Sequence, residues 1–254
     1  MFFILICVVI IFIIYYLLSN ESPNTFGCVY WINLDRSLKR KQTMQQLLTY
    51  DEFNNIPKIR ISAVDGKKNN IQDILSHNFT NTNKQYSNYE YACLLSHLNA
   101  IQHFWNSDKS VALIMEDDMT LEFKPYWNTT LSEYISNAPY NWEILQLIYI
   151  SKNIIPSYKY SKWIPNQYFS TGAYMINRDG ASHIMKLYYN NKWNLPTNQS
   201  HQADLLIYSL CNTYTSNIPF FMYSDNNSSE IHQTHIPLHI VSKRHILRYI
   251  HHMS

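Results

Sequence analysis

Glu116, Asp117 and Asp118 are three consecutive carboxylates placed directly after the apolar run Val111-Ala112-Leu113-Ile114-Met115. Acids crowded in this way repel one another unless something positive sits among them. A hard divalent cation that prefers oxygen, Mg²⁺ or Mn²⁺, is the natural counter-charge, and such ions commonly bridge one or two carboxylates to the phosphates of a substrate. The plain alternative is a solvated acidic turn after a strand. A second polar constellation is Asn33, Asp35, Arg36 and Arg40. Arginine matches phosphate bidentately, and Asp or Asn can hydrogen-bond a base or ribose, so the group suits a nucleotide. Its plain alternative is Asp35 as a helix cap and Arg40 as a solvated first-turn charge.

The elements that must carry these groups are legible from period and composition. Val111 to Met115 is too short for a helix and apolar enough for a strand buried on both faces, so it belongs at the centre of a sheet, with the acids emerging at its carboxyl end. Val29 to Leu34 reads as a strand, followed by a helix carrying Met44, Leu47 and Leu48 on one face. Ile59-Arg60-Ile61 is a second short strand, closed by a turn at 62–66 that contains Asp65 and Gly66. Tyr91, Leu94, Leu95, Leu98, Ile101 and Trp105 recur at helical spacing and define an amphipathic helix from Tyr89 to Trp105. His97 lies beside that stripe, on about the same face as Glu90, where a histidine is either a hydrogen-bonded structural residue or a ligand contact. Strands are expected at Trp142–Ile148 and Ala173–Ile176, and helices at Asp179–Tyr189 and Ala203–Leu210. Helices alternating with short apolar strands predict an α/β fold with a parallel or mostly parallel sheet covered on both faces.

Composition bounds the rest. A chain of 254 residues with 46% hydrophobic residues can bury a real core, and a net charge of +2 with dispersed basic residues offers no nucleic-acid footprint. With four glycines and no Gly-x-Gly-x-x-Gly or Walker loop, glycine-dependent phosphate cradles are disfavoured. Cys7, Cys28, Cys93 and Cys211 lack Cys-x-x-Cys spacing, so neither a zinc site nor a disulfide framework is suggested, although one disulfide stays open. Cys93, among apolar neighbours, reads as a buried small hydrophobe. Phe2 to Leu18 is an unbroken apolar run without a cleavage pattern, which predicts a retained transmembrane signal-anchor over 1–19, a linker over 20–25 and a globular domain over 26–254. The expected orientation is that of a single-pass type II membrane protein, with the globular part in a lumen. The several Asn-x-Ser/Thr sites permit this but do not decide it, because asparagine is so common here.

Five blocks carry a resemblance: VYWINLDRSLKR at 29–40, YEYACLLSHLNAI at 89–101, ALIMEDDM at 112–119, TGAYMINRDGA at 171–181 and ADLLI at 203–207. In order and spacing they resemble glycosyltransferase family 25, which includes lipopolysaccharide β-galactosyltransferases and collagen hydroxylysine galactosyltransferases. The resemblance implies a GT-A fold of Rossmann-like kind, a UDP-sugar donor, Mn²⁺ or Mg²⁺, and inversion at the anomeric carbon. It implies donor contacts from Asn33, Asp35, Arg36 and Arg40, and a loop near the nucleotide at Asp65 and Gly66, which composition alone reads as a turn. It also implies a ligand contact from His97. Asp118 is implied as metal ligand, with Glu116 beside it and Asp117 nearer the sugar or ribose. The triplet departs from Asp-x-Asp by starting with Glu, so the division of roles is open. Asp204 matches a family aspartate and is the candidate general base. Its alternative is a helix-start residue favoured by the macrodipole. Thr171, Gly172 and Tyr174 resemble the acceptor-side segment, with Gly172 marking close approach either to ligand or to a neighbouring strand. His232, with His235 and His239, is a candidate late-loop metal ligand or phosphate contact. Ile240 to Ile250 reads as an amphipathic helix that closes the domain or lies on a membrane. The expected activity is metal-dependent sugar transfer, most simply of galactose, to a hydroxyl of a glycan or protein in lipopolysaccharide or glycoprotein biosynthesis. The alternative is a catalytically inactive, membrane-tethered GT-A domain that binds glycan or protein. A metal-dependent phosphoesterase would need more ligands near Glu116 to Asp118 than the sequence offers.

Overall fold

The structure is a computed structural model, and it describes residues 26–152, 154–224 and 236–253. The expected anchor at 1–19 and linker at 20–25, and also His232 and His235, lie outside the described residues. Among the described residues no helix is long and apolar enough to cross a membrane.

In chain order the strands are β1 (Cys28–Asn33), β2 (Lys58–Ser62), β3 (Phe79–Thr80), β4 (Val111–Glu116), β5 (Met119–Thr120), β6 (Ile144–Gln146), β7 (Ser161–Lys162), β8 (Ala173–Asn177), β9 (Tyr188–Tyr189), β10 (Lys192–Asn194), β11 (Thr213–Thr215) and β12 (Met222–Tyr223). The helices are α1 (Leu38–Leu47), α2 (Ile71–Asn78), α3 (Asn88–Trp105), α4 (Leu131–Ser136), α5 (Arg178–Met185), α6 (Ala203–Ser209) and α7 (Ile236–Met253). Seven strands form the main sheet in the order β2-β1-β4-β8-β6-β11-β7. β2, β1, β4, β6 and β11 run one way, whereas β8 and the edge strand β7 run the other. The sheet is therefore mostly parallel, as expected, but its centre contains a reversal that the hydrophobic pattern could not show.

β4 is the spine. Val111 to Met115 are all buried, in parallel register with β1 on one side and antiparallel register with β8 on the other. A continuous apolar run suits this position because neither face meets water. Glu116 is its last residue, so the acids do leave the sheet at the carboxyl end.

α3 packs on β1, β2 and β4 and against α2, α5 and α6. Its start is fixed by a capping box, in which Ser87 accepts from the Glu90 backbone N–H and the Glu90 carboxylate accepts from that of Ser87. Arg178 closes the other end, donating to the carbonyls of Phe104, Trp105 and Ser107 and lying over the Trp105 ring. A cation at these unpaired carbonyls complements the helix dipole. Two expected elements are shorter than the sequence implied. The 142–148 strand is confined to Ile144–Gln146, and the 179–189 helix ends at Met185, because Tyr188–Tyr189 is drawn into a small sheet with Trp193. α7 closes the domain: Ser242, Ile246 and Ile250, spaced by four, are buried, and the Ser242 hydroxyl accepts from the Ser151 backbone N–H.

Candidate active site

Beyond the carboxyl end of β4 lies a cleft of about 900 Å³. All three acids line it, together with Arg36, Arg40, Asp65, His97, Thr171 and Asp204. The acids are not free in solvent. The Arg40 guanidinium, from the first turn of α1, forms two ion pairs of 2.8 Å, one to Asp117 Oδ1 and one to Asp118 Oδ2. The buried Asn33 amide donates to Asp117 Oδ2 at 2.5 Å. Glu116 Oε1 lies 3.4 Å from His97 Nε2 and accepts from the Thr171 hydroxyl at 3.1 Å. The solvated-turn reading of the triplet is thus overturned. Part of the counter-charge these acids need is supplied in the protein itself by Arg40, 77 positions before Asp117.

Arg40 does not complete the neutralisation. Burial pushes the Asp118 carboxyl up to about 7, with the Glu116 charge adding to the effect and Arg40 opposing it. Burial also raises Asp117, against Arg40 and the Asn33 hydrogen bond. Glu116 feels the same burial, but the interaction with His97, the Thr171 hydroxyl and the Arg40 charge together hold the group below its usual value. Among the described residues, Asp118 Oδ1 is buried with no hydrogen-bond partner. Such an orphaned carboxylate oxygen is costly unless a cation or ordered water meets it, so this donor set fits a hard divalent ion.

Asp204 begins α6 and faces the same cleft. Its Oδ2 accepts the Ser170 backbone N–H at 2.9 Å and its Oδ1 that of Leu205 at 2.8 Å. Burial raises this carboxyl despite those bonds, and the Glu116 charge adds to the shift. Ser170 itself sits at φ 100, a backbone conformation that costs a non-glycine residue about 1–3 kcal/mol. It is held there because its N–H meets Asp204, its hydroxyl meets Tyr223 at 2.6 Å, and its carbonyl accepts from Gln146 and Tyr208. Strain held in place beside two acids is what a pre-organised site shows. No glycine signal in the sequence announced it.

The remaining expected residues divide. Arg36 and Asp65 line the cleft as an ion pair of 2.7 Å, which lowers Asp65. Asn33 and Asp35 do not line it. Asn33 is buried beneath the acids, and Asp35 faces solvent, where it pairs with Arg60 and accepts from Ser62. Arg60 also donates to the Asn33 side-chain oxygen, so these two residues brace β1 against β2 under the site. Gly172 does not line the cleft either. A Cβ there would stand 2.8 Å from the Met119 methyl and 3.0 Å from the Tyr223 hydroxyl, so the close approach is to neighbouring side chains. Gly66 is a cleft residue packed under Tyr89; Ser96 also lines the cleft, and its hydroxyl accepts the Val64 N–H and donates to the Ala92 carbonyl. Cys93, read from the sequence as a buried small hydrophobe, does pack against the core, and it also lines the cleft. Cys28, Cys93 and Cys211 are all free thiols. Sequence reasoning also missed Lys152 and Ser170, which line the cleft from loops, and Tyr223, which lines it from β12; only the tertiary fold determines their position. α7 adds His239, Lys243 and Arg244 to the same wall.

No match was found among curated proteins. The sequence pattern described as glycosyltransferase family 25 (LPS biosynthesis protein) matches residues 27–201, which hold the sheet from β1 through β8 and the complete acidic triplet. With well over half its length matched and the acids gathered at the carboxyl end of the central strand, the chain belongs to glycosyltransferase family 25.

Proposed function

We propose that the protein is an inverting glycosyltransferase of GT-A architecture. In this reading it moves a sugar, galactose as the first candidate, from a UDP-sugar to a hydroxyl of a glycan or protein acceptor. The observation that carries the reading is the buried, unpartnered Asp118 Oδ1 in a cleft shared with Asp204. Glu116 and Asp118 would hold Mn²⁺ or Mg²⁺, which when bound supplies Lewis-acid stabilisation of charge on a departing diphosphate. The protein's own residues do the rest. Asp204 Oδ takes the proton of the acceptor hydroxyl, whose oxygen attacks the anomeric carbon as the bond from that carbon to the diphosphate oxygen breaks. Burial suits Asp204 to this, because a raised carboxyl holds a proton better. Arg36, Lys152 and Arg244 line the cleft as cations for the diphosphate. The seven-stranded sheet with a reversed strand beside its centre accords with a GT-A architecture.

The test is donor turnover by the purified full-length chain across a panel of UDP-sugars, with and without Mn²⁺. Turnover that needs the ion and vanishes in Asp118→Ala supports the reading, and no turnover with any donor overturns it. One observation favours the catalytically silent binding module instead: the double ion pair from Arg40 already spans Asp117 and Asp118. The same panel separates the two. The membrane anchor and lumenal orientation stay part of the proposal and rest on the apolar run at 2–18 alone.

A further inference from the structure

Cys93, His97 and Glu116 each turn a ligand atom toward one point, and the three atoms lie within 4.8 Å of one another. Cys93 and His97 stand four residues apart on α3, hence on one face of the helix, and Glu116 meets them from the end of β4. All three line the cleft. We infer that they form a soft-cation site, taking Zn²⁺ through Cys93 Sγ, His97 Nε2 and Glu116 Oε1.

Tetrahedral zinc with its usual bond lengths sets neighbouring donor atoms about 3.3–3.7 Å apart. His97 Nε2 and Glu116 Oε1 are already at 3.4 Å, and the Cys93 thiol lies within 4.8 Å of a ligand atom of each. Three protein ligands with a fourth position open to the cleft is the stoichiometry of an accessible zinc site. The imidazole is oriented as a ligand requires, because Nδ1 lies 3.3 Å from the Tyr174 hydroxyl and leaves Nε2 to face Glu116. The donor set also differs in kind from the carboxylates beside it. A thiolate and an imidazole select zinc over Mg²⁺ or Mn²⁺, whereas the all-oxygen Asp118 side does the reverse. Binding releases the Cys93 thiol proton, and the proton that His97 Nε2 shares with Glu116 in the metal-free site, to solvent as three metal–ligand bonds form, with no change of oxidation state. Cys-x-x-Cys spacing cannot reveal such a site, because its third ligand comes from another element. Where the transfer reading holds, Glu116 belongs to both sites, and zinc then competes with the activating ion.

The experiment is titration of the full-length chain with Co²⁺, a spectroscopic stand-in for zinc, which needs no sugar donor and no activity. A thiolate-to-cobalt charge-transfer absorption should grow in, be displaced by Zn²⁺, and be absent in Cys93→Ser. In a second measurement, Zn²⁺ should slow alkylation of Cys93, read by peptide mass, in the unmodified protein and not in His97→Gln. No charge-transfer absorption, an undiminished one in Cys93→Ser, or alkylation indifferent to zinc each overturns the inference. Each of these outcomes is independent of whether any UDP-sugar is turned over.

Discussion

Arg40 and Asp204 act on the same charge cluster from opposite sides of the proposed chemistry, and each can be tested alone. Arg40 holds two buried carboxylates, so Arg40→Met leaves both without their cation. Breaking a buried pair costs about 3–5 kcal/mol, and the low end is expected because Asp118 sits near 7 and can take a proton instead. A loss of about 3 kcal/mol corresponds to a fall of roughly 6–12 °C in Tm for a chain of this size. If a divalent ion and the guanidinium share the same acids, Mn²⁺ should raise the Tm of Arg40→Met more than that of the parent. Equal ion effects on the two melts would show that the ion sits elsewhere. Asp204→Asn keeps the shape but cannot accept a proton, so kcat should fall by about 10²–10⁴-fold with little change in donor KM. A kcat within a few-fold of the parent would remove Asp204 from the chemistry and leave it as a helix-start residue.

At the scale of elements, what the sequence disclosed follows from what is local. β4 could be read because a buried central strand needs an unbroken apolar run, and α3 because its apolar stripe from Tyr91 to Trp105 repeats over about four turns. What could not be read depends on distant partners. Arg40 finding Asp117, the reversal of β8 between β4 and β6, and Ser170 in its strained turn are each decided by segments tens of residues away. The true limit of α5 is a local matter instead, since its expected last turn pairs as a hairpin strand with Lys192 and Trp193 a few residues on. Gly180 in α5 depends on a distant segment again and carries a prediction. A Cβ there would stand 2.7 Å from the Glu143 carbonyl oxygen, which is backbone and cannot step aside. Gly180→Ala therefore gains helix propensity of about 1 kcal/mol and loses more to overpacking, typically 1–3 kcal/mol. A denaturant melt should show net destabilisation, and a stabilised variant would mean that α5 can slide away from β6.

The whole molecule is a sheet whose carboxyl edge is anionic and whose last helix brings cations back across it. α7 lies outside the matched family pattern, yet it is fastened to the domain by the Ser151 to Ser242 hydrogen bond, the buried Ile246 and Ile250, and the ion pair of Lys243 with Glu122 at 2.6 Å. This placement brings Arg244 to the cleft that holds the acids. Among the described residues no ion pair fastens the helix through Arg244, so the fold does not lean on its charge there. It is therefore a residue whose loss should be felt by a diphosphate more than by the fold. A charge-assisted hydrogen bond contributes about 1.5–3 kcal/mol, so Arg244→Gln should weaken UDP binding by roughly 10- to 100-fold in calorimetry while leaving the ligand-free melt unchanged. The loss should shrink at high salt if the contact is exposed to solvent and persist if the diphosphate is sequestered by α7. Unchanged UDP affinity would place the diphosphate away from α7, on the side of the cleft lined by Arg36 and Asp65.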